Sequence, residues 1–209
     1  MITVDPHPLL DLRAVEATWP RPLGELEVPA WLAELGALEA PVPFPAPGEA
    51  ERGAVRDLLR HGGYKPSGRG KPCNEYLRGV AGKGAFPAIN PAVDATNVAA
   101  LHGALPISTV DADRLREPLR VGIAPPGSRY VFNPAGQTID LDGLLCLSDA
   151  DGPCANAVKD AQRSKTHDGT VRTLTVIWGT TALPGRAEAV AAWLSELFER
   201  LGATTRRVG

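Results

Sequence analysis

The stretch NPAVDATNVAALHGALPISTVD, residues 90–111, holds the polar side chains whose spacing best suits chemistry. Asp94, Thr96 and Asn97 stand there among small apolar residues, in a pattern that predicts a helix over residues 92–103. A carboxylate and a carboxamide in such a setting need hydrogen-bond partners, because burying either group without a partner costs free energy. Asp94 fits a structural role in which it accepts backbone N–H groups at the helix start. The roles of Thr96 and Asn97 are the open question.

Other candidate constellations are weaker. Cys154, His167 and Asp168 could form a thiol enzyme, but nothing around Cys154 matches a thiol-protease signature, and a lone cysteine is more often a small buried residue. The loop GYKPSGRGKP lacks the spacing of a phosphate-binding loop, and Pro72 follows Lys71 where a hydroxyl residue should open a helix. No His, Asp or Glu cluster has the spacing of metal ligands. We therefore expect no bound metal.

Charge is unevenly distributed along the 209 residues, although the formal net charge is only −2. Acidic residues dominate residues 1–51, and the order reverses over residues 52–83, where Asp57 and Glu75 are the only acids. The basic residues there are Arg52, Arg56, Arg60, Lys65, Arg69, Lys71, Arg78 and Lys83. A local basic face suits a polyphosphate partner. Charge alone leaves open the alternative of a solvated surface that the acidic segment partly neutralises.

The composition is that of an ordinary globular chain, with 44% hydrophobic and 22% charged residues. No apolar run approaches the roughly 20 residues of a membrane-spanning helix. No basic flank precedes an apolar stretch near Met1, so we expect neither a membrane span nor a signal peptide. The three cysteines include no CxxC pair and make no disulfide framework, so a reducing cytoplasm is the simplest location.

The elements that position these residues divide into two segments. Residues 8–40 contain two short helical patterns, PLLDLRAVEATW and PAWLAELGALEA, and the Pro-rich stretch 40–48 marks a boundary. We therefore predict an N-terminal helical segment with its connector, residues 1–48, and a main domain, residues 49–209. The main domain opens with a helix over residues 49–61 that Gly62 and Gly63 end, followed by a basic loop and a short helix.

The second half of the chain is rich in strand patterns, at PLRVGIA, SRYVF, LLCLS and RTLTVIW. The clearest helix pattern is GRAEAVAAWLSELFERLGA, which places Val190, Leu194, Leu197, Phe198 and Leu201 on one stripe. Helices first, strands next and one closing amphipathic helix at the C-terminus predict an α+β fold.

Taken together, these pieces resemble the B3/B4 domain of the bacterial phenylalanyl-tRNA synthetase beta subunit, and more closely the free-standing proteins built from that domain alone. The similarity centres on INPAVDATNVAALHGALPISTVD, with an Asn-Pro pair, then Val-Asp-x-Thr-Asn, then Leu-Pro and an aspartate about one helix later. A looser similarity continues through the strand-turn-strand region LRVGIAPPGSRYVFNPAGQTIDLDGLLCLSD. The resemblance covers roughly residues 52–180.

The resemblance implies a sandwich-like mixed β-sheet core flanked by helices. In the synthetase this domain hydrolyses the ester of tRNA carrying the wrong amino acid. The resemblance therefore implies the aminoacylated 3′ end of tRNA as the partner, with no metal and no organic cofactor. Asn97 matches the family's asparagine in the editing pocket, where a carboxamide can donate to a developing oxyanion or orient the attacking water.

Two departures from the family pattern affect the predicted site. Ser108 stands where the synthetase members carry a histidine, and NAVKDAQRSKT replaces the Gly-rich segment that bears a substrate-reading glutamate. A changed polar partner means a changed substrate, so the amino acid does not carry over. We predict Asn97 and Ser108 as catalytic residues and expect a cavity beside the Val93–Asn97 turn.

The other predicted site residues fall into two groups. The predicted substrate-binding residues are Thr96, Gly136, Lys159, Gln162 and Arg163. The predicted RNA-binding residues are Arg56, Arg60, Lys65, Arg69 and Lys71, with Tyr64 or Tyr76 facing the terminal adenine.

Three functions are consistent with the sequence. The first is a hydrolase that deacylates mischarged aminoacyl-tRNA in trans. The second is a non-catalytic tRNA-binding module with the same fold, which the replacement of histidine by Ser108 favours. The third is an enzyme for small amino-acid esters or amides that needs no RNA.

Overall fold

The computed structural model describes residues 1–208 and has an α+β fold, as the sequence predicts. The strands are β1 (Ile2–Val4), β2 (Leu10–Thr18), β3 (Ile107–Asp111), β4 (Leu119–Ile123), β5 (Arg129–Val131), β6 (Thr138–Asp140), β7 (Leu145–Asp149), β8 (Gly152–Asn156), β9 (Arg172–Thr180) and β10 (Thr204–Val208). The helices are α1 (Ala30–Glu34), α2 (Glu49–Arg60), α3 (Cys73–Ala81), α4 (Pro91–Gly103) and α5 (Arg186–Arg200). Within the described chain, none of these helices combines the length and apolarity that crossing a membrane requires.

The strands form two four-stranded sheets and one hairpin. The first sheet has the order β1-β4-β7-β8, the second has the order β10-β2-β9-β3, and β5 pairs with β6 alone. The long antiparallel pair β2–β9, from Leu10 opposite Thr180 to Thr18 opposite Arg172, forms the centre of the second sheet. This order leaves β3 at the edge of that sheet, paired only with β9 as a full strand.

Alternation along β3 shows how the layers stack, because successive side chains of a strand point to opposite faces. The Ser108 hydroxyl bonds to the carbonyl of Asn156 on β8, so this face of β3 is directed at the first sheet. The Thr109 hydroxyl contacts the Thr96 hydroxyl on α4, so the opposite face is directed at the helices. The second sheet therefore lies between the first sheet and the helical layer of α4 and α5.

Buried apolar side chains fill both spaces on either side of the second sheet. Val121 and Leu147 of the first sheet and Trp178 of the second have no measurable exposure. On the helical side, the Trp19 and Phe198 rings meet edge to face, with centroids 5.1 Å apart. Burial on this scale, at roughly 25 cal/mol per Å² of apolar surface, provides the main stabilisation of the layers.

The two ends of the chain correct the sequence prediction. The pattern at residues 8–19 predicted a helix, but residues 10–18 form β2, because its backbone pairs on both sides, with β9 and with β10. The C-terminal helix is confirmed as α5, but it does not close the fold, since β10 follows it and pairs with β2. The division at residue 48 stays a prediction, and β1 and β2 of the first segment pair with strands of the second.

Two glycines fix where the basic loop after α2 begins. Gly62 and Gly143 pack backbone to backbone, and a Cβ atom added to Gly143 would lie 2.2 Å from the Gly62 carbonyl oxygen. Gly143 also has a φ of +71°, in the left-handed region that favours glycine. Only glycine at both positions lets the start of the loop approach the turn before β7 this closely.

This contact predicts that Gly143→Ala destabilises the protein more than Gly127→Ala. Gly127 has a φ of +75° but nothing within 4 Å of an added Cβ, so it isolates the cost of the backbone conformation, about 1 kcal/mol. Gly143→Ala adds the clash, and we expect at least about 2 kcal/mol further loss in urea unfolding. Equal losses for the two variants would contradict the required close approach.

Candidate functional site

Helix α4 starts with a network of backbone caps. Asn90 is the N-cap, and its Oδ1 accepts from the Val93 N–H at 3.0 Å. Asp94 is 4% exposed, and its carboxylate accepts from the Ile89 N–H at 2.8 Å. Burial raises the pKa of Asp94, while bonds from the Ile89 and Asn90 backbone oppose the rise. The predicted structural role of Asp94 is confirmed.

Thr96 is used in joining the helix to the sheet. Its hydroxyl donates to the Ala92 carbonyl at 2.8 Å and lies 2.6 Å from the Thr109 hydroxyl. Thr109 lies in turn 2.9 Å from the Thr175 hydroxyl on β9. Because Thr96 is only 4% exposed and its hydroxyl is fully engaged, we revise the predicted substrate contact to a structural role.

Asn97 differs from the other polar side chains of the motif. Asn90, Asp94 and Thr96 all have partners, whereas within residues 1–208 the Asn97 carboxamide makes no hydrogen bond and is half-buried. Neighbouring main chain therefore does not occupy the carboxamide. It is available to donate to an incoming oxygen or to hold a water molecule.

Ser108 lies on the opposite face of β3 from Thr96. It is 1% exposed, donates to the Asn156 carbonyl at 2.9 Å, and accepts from Nε1 of Trp178 at 3.0 Å. The hydroxyl therefore joins β3 to β8 and satisfies the buried indole N–H. We revise the predicted catalytic role of Ser108 to a structural one.

The segment after β8, residues 156–166, follows the outer edge of β3. Asn156 anchors its first turn, since its Oδ1 accepts from the N–H groups of Val158 at 2.8 Å and Lys159 at 2.9 Å. The Asn156 amide also donates to the Tyr130 hydroxyl, which donates to the Lys159 carbonyl at 2.6 Å. Further along, Val110 of β3 forms a β-bridge with Lys165. This segment is therefore held rigidly against the strand.

Asp160 lies in this anchored segment without an ion pair to any residue of the described chain. It is half-buried beside the Ser108 hydroxyl, and its Oδ1 accepts from the Asn156 N–H at 3.2 Å. Burial raises the pKa of Asp160 to about 6, although the Ser108 and Asn156 bonds and the charge of Lys165 oppose the rise. A half-buried carboxyl group whose pKa is raised in this way is a candidate functional residue.

Two lysines contact Phe132, and the charge of Arg69 acts on one of them. The Lys159 ammonium lies 4.2 Å from the centroid of the Phe132 ring, and the Lys165 ammonium donates to the Phe132 carbonyl at 2.6 Å. Burial lowers the pKa of Lys159, and the positive charges of Arg69 and Lys165 lower it further. Like charges held this close favour an anion between them.

The predicted RNA-binding residues fall into two groups, according to whether they form an ion pair. Lys65, Arg69 and Lys71 are exposed and have no ion pair within residues 1–208. Arg56 differs, since it forms a bidentate pair with Glu75 at 2.7 and 2.6 Å, and we revise it to a structural link between α2 and α3. Exposed Arg60 is paired with Asp57 at 2.8 Å.

The remaining predicted substrate residues do not form one pocket. Arg163 binds Asp149 through two bonds, at 2.9 and 2.7 Å, and we revise it to a structural clamp between β7 and the segment. Burial would raise the pKa of Asp149, but the Arg163 bonds bring it below its ordinary value. Gln162 has a buried Oε1 without a partner in the described chain, and Gly136 lies exposed in the β5–β6 turn.

The alternative of a thiol enzyme receives no support from the geometry. Cys154 is completely buried, and burial raises the pKa of its thiol to about 12. His167 lies 3.1 Å from Asp111 rather than beside the thiol. Among residues 1–208, no three His, Cys, Asp or Glu side chains come together as a metal site requires.

Two surface cavities lie near α3, and neither has Asn97 or Asp160 in its lining. One lies between α1 and the C-terminal end of α3. The other, about 210 Å³, lies between the start of α2, helix α3 and the end of α4, where Leu101 and Ala104 line it. Neither is the cavity expected beside the Val93–Asn97 turn, since no residue of that turn lines either one.

Comparisons with known proteins include a distant structural likeness. No protein-family model matches the chain, and no curated protein sequence has a significant match. The fold is similar to an N-terminal fragment of the phenylalanyl-tRNA synthetase beta-subunit from Pyrococcus horikoshii, with a TM-score of 0.47 and 11% sequence identity. The likeness covers 55% of this chain and 41% of that one, less than half its length. At this distance it assigns neither family nor activity.

The sequence pattern missed the residues that organise segment 156–166. Asp160 lies in a polar stretch whose pattern predicts only a loop or a lid. Tyr130 is distant from that stretch in the sequence, and nothing in the residue types of Asn156 and Lys165 indicates a site. One signal was present. An Asn side chain commonly accepts from the backbone N–H groups two and three residues further on, as Asn156 does with Val158 and Lys159.

The raised pKa of Asp160 predicts a pH-dependent stability difference between the wild type and Asp160→Asn. A folded pKa of about 6 against an ordinary 3.8 means that ionised Asp160 costs on the order of 3 kcal/mol in the folded protein. The penalty is small below pH 4, grows as pH rises from about 4 to 6, and is complete above pH 6. Asn keeps the acceptor for the Asn156 N–H without the charge.

The measurement is the free energy of unfolding of both proteins from pH 4 to pH 8. We expect Asp160→Asn to gain stability relative to the wild type by about 2–3 kcal/mol over that range. A difference that does not change with pH would show that the carboxyl group titrates normally.

Proposed function

We propose that the protein hydrolyses the ester bond of mischarged aminoacyl-tRNA in trans. The observation that carries this proposal is the arrangement at the outer edge of β3, where half-buried Asp160 lies beside cations that have no carboxylate partner. Such cations attract a polyanion, and a carboxyl group with a pKa of about 6 is ionised at neutral pH and can accept a proton. The resemblance of residues 90–111 to the editing motif supports aminoacyl-tRNA among the possible polyanions.

The RNA-binding face has five cations and one exposed ring. The cations are Lys65, Arg69, Lys71, Lys159 and Lys165. Tyr76 is 64% exposed and offers a surface for stacking the terminal adenine. The Tyr64 hydroxyl instead donates to the Gly70 carbonyl at 3.1 Å, so Tyr64 shapes the basic loop.

Asn97 and Asp160 belong to elements that pack on the two sides of β3, helix α4 and segment 156–166. Thr96, the neighbour of Asn97, contacts β3 from the helical side, and Asp160 lies beside Ser108 on the side of the first sheet. In this proposal the ester binds at the edge of this strand, between the two elements. The flexible 3′ end of tRNA suits such an edge, because it needs no deep pocket to reach it.

The proposed reaction needs one proton transfer from the attacking water to Asp160 and one to the leaving ribose oxygen. Asp160 takes a proton from the attacking water as the water oxygen bonds to the acyl carbon, and Asn97 Nδ2 donates to the oxyanion that forms. The bond from the acyl carbon to the ribose oxygen then breaks, and the proton passes to that oxygen. Free amino acid and uncharged tRNA result. The neighbouring ribose hydroxyl assists, so no triad is required.

A non-catalytic tRNA-binding module is the second candidate. The observation in its favour is Ser108, which replaces a histidine of the resembled family and is fully engaged in buried hydrogen bonds. This candidate keeps the basic face and gives no role to Asp160. The two candidates differ in whether any charged tRNA is hydrolysed.

The first test of the hydrolase is deacylation of a panel of mischarged tRNAs, after subtraction of the spontaneous rate. We expect turnover for at least one member and a loss of about 10²-fold in kcat for Asn97→Ala and Asn97→Asp. Asp is isosteric with Asn and keeps an acceptor but cannot donate, so it separates an oxyanion donor from a water acceptor. Binding of tRNA without turnover for any member would replace the hydrolase with the binding module.

The second test compares a basic residue that has no ion pair with one that has an ion pair. Arg69→Gln removes an unpaired charge, and Arg60→Gln removes an equal charge that is already paired with Asp57. We expect Arg69→Gln to weaken tRNA binding several-fold and to lower the slope of log K against log salt by about 0.7–0.9, as loss of one phosphate contact does. Arg60→Gln is the matched control and should change neither quantity. Equal effects would contradict the assigned face.

A further inference from the structure

The turn that carries Asp160 is closed by a ring of three hydrogen bonds. Asn156 Oδ1 accepts from the Lys159 N–H at 2.9 Å, and the Lys159 carbonyl accepts from the Tyr130 hydroxyl at 2.6 Å. The ring closes where the Asn156 amide donates to the same hydroxyl. Two of its members lie in segment 156–166, whereas Tyr130 lies on β5. The hydroxyl is therefore the point at which the β5–β6 hairpin holds the turn.

The proton positions in this ring are fixed by the bonds that each group makes. Asn156 Oδ1 already accepts two N–H groups, from Val158 and Lys159, so its NH₂ group faces the Tyr130 oxygen. The tyrosine oxygen accepts from Asn156 and directs its own proton to the Lys159 carbonyl. Burial, and next the charge of Asp160, raise the pKa of Tyr130 well above its ordinary value. The phenol therefore keeps its proton and continues to donate at neutral pH.

The ring reaches Asp160 from both ends of the turn. Lys159, whose N–H and carbonyl both belong to the ring, directly precedes Asp160 in the chain. Asn156, at the other end, donates its backbone N–H to Asp160 Oδ1 at 3.2 Å. Within residues 1–208 the carboxylate forms no ion pair that could orient it instead. The backbone of this turn, and through it Tyr130, therefore sets where the carboxylate lies.

The same hairpin holds the lysines through a different residue. Phe132, which follows β5, contacts the Lys159 ammonium with its ring and accepts from the Lys165 ammonium with its carbonyl. The Tyr130 hydroxyl bonds only to the Asn156 amide and the Lys159 carbonyl. Removing this hydroxyl therefore changes how the turn is held and leaves the contacts of both ammonium groups with Phe132 in place.

We infer that Tyr130 is a positioning residue for the proposed hydrolysis, in which its hydroxyl holds the Lys159 carbonyl and so aims the Asp160 carboxylate at the attacking water. The inference rests on the proposed function, since it takes Asp160 as the base. Tyr130 touches neither the water nor the ester in this role and acts only through Asp160. A displacement of about 1 Å at a reacting group can cost on the order of 10²-fold in rate.

The experiment is a double-mutant cycle of Tyr130→Phe and Asp160→Asn on the mischarged tRNA that the wild type hydrolyses fastest. Phe keeps the aromatic ring and loses only the hydroxyl. We expect Tyr130→Phe to lower kcat about 10- to 100-fold and to leave KM within about twofold, because the cations that hold the RNA are undisturbed. In the Asp160→Asn protein the same change should lower kcat less than about twofold, because the group that Tyr130 positions is gone.

The pH profile of kcat is a second readout, which a mere loss of stability would not move. Without the hydroxyl the turn admits more water, so the pKa of Asp160 falls from about 6 toward its ordinary 3.8. The acid limb of kcat should therefore move to lower pH by at least about half a unit in Tyr130→Phe. The buried thiols whose charge would act on Asp160 stay protonated in this range, since burial raises the pKa of Cys73, Cys146 and Cys154.

Tyr64→Phe is the matched control. It also removes a tyrosine hydroxyl that donates to a backbone carbonyl, that of Gly70 in the basic loop at 3.1 Å. We expect this variant to raise KM at constant kcat, because the loop belongs to the RNA-binding face and does not carry Asp160. Equal losses of kcat in the two tyrosine variants would overturn the inference.

The outcomes separate the inference from the proposed function. No turnover of any charged tRNA by the wild type overturns both. Asp160→Asn as active as the wild type removes the base and the inference, while hydrolysis stands. A kcat of Tyr130→Phe within about threefold of the wild type overturns the inference alone, and so does an equal loss with and without the Asp160 carboxylate. Where Asp160→Asn is no faster than spontaneous hydrolysis, the acid limb decides, and an unmoved limb overturns the inference.

Discussion

Strand β3 has polar side chains on both faces, and the arrangement of the layers depends on satisfying them. Thr109 continues a chain of hydroxyls from α4 to β9, and Ser108 joins the second sheet to β8 while accepting the Trp178 N–H. Each bond contributes only about 1 kcal/mol, but an unmade one would leave a buried polar group unsatisfied. A shift of β3 by one residue would exchange the two faces and break all of these bonds together. The register of the edge strand is therefore strongly fixed.

The fixed edge in turn determines which charges are structural and which are free. Arg163 ties segment 156–166 to Asp149, whose side chain has no exposure, and Arg56 ties α3 to α2 through Glu75. Breaking a buried pair by removing one partner costs roughly 3–5 kcal/mol, because the other charge stays buried. The planar guanidinium suits such bidentate pairs. Among the cations without an ion pair in the described chain, Lys165 is the one whose charge acts on Asp160.

The sequence predicts much of the framework and little of the site. The helix patterns over residues 49–61 and 92–103 hold in the structure, since α2 buries one apolar stripe and the small residues of α4 are buried on nearly every side. Residues 10–18 were misassigned because pairing with two neighbouring strands overrides a weak local helical pattern. Asn97 could be proposed from a motif. Asp160 could not, since its properties arise from burial beside Ser108, a residue 52 positions away in the chain whose face only the register of β3 determines.

Strand β3 also separates the two candidate catalytic groups, Asn97 and Asp160. Asn97 lies on a helix that packs on one face of β3, and Asp160 lies in a segment that packs beside the other, so their side chains can approach a common atom only around the edge of the sheet. The proposed hydrolysis of an activated ester needs one donor for the oxyanion and one base for the water, the roles that we propose for Asn97 and Asp160.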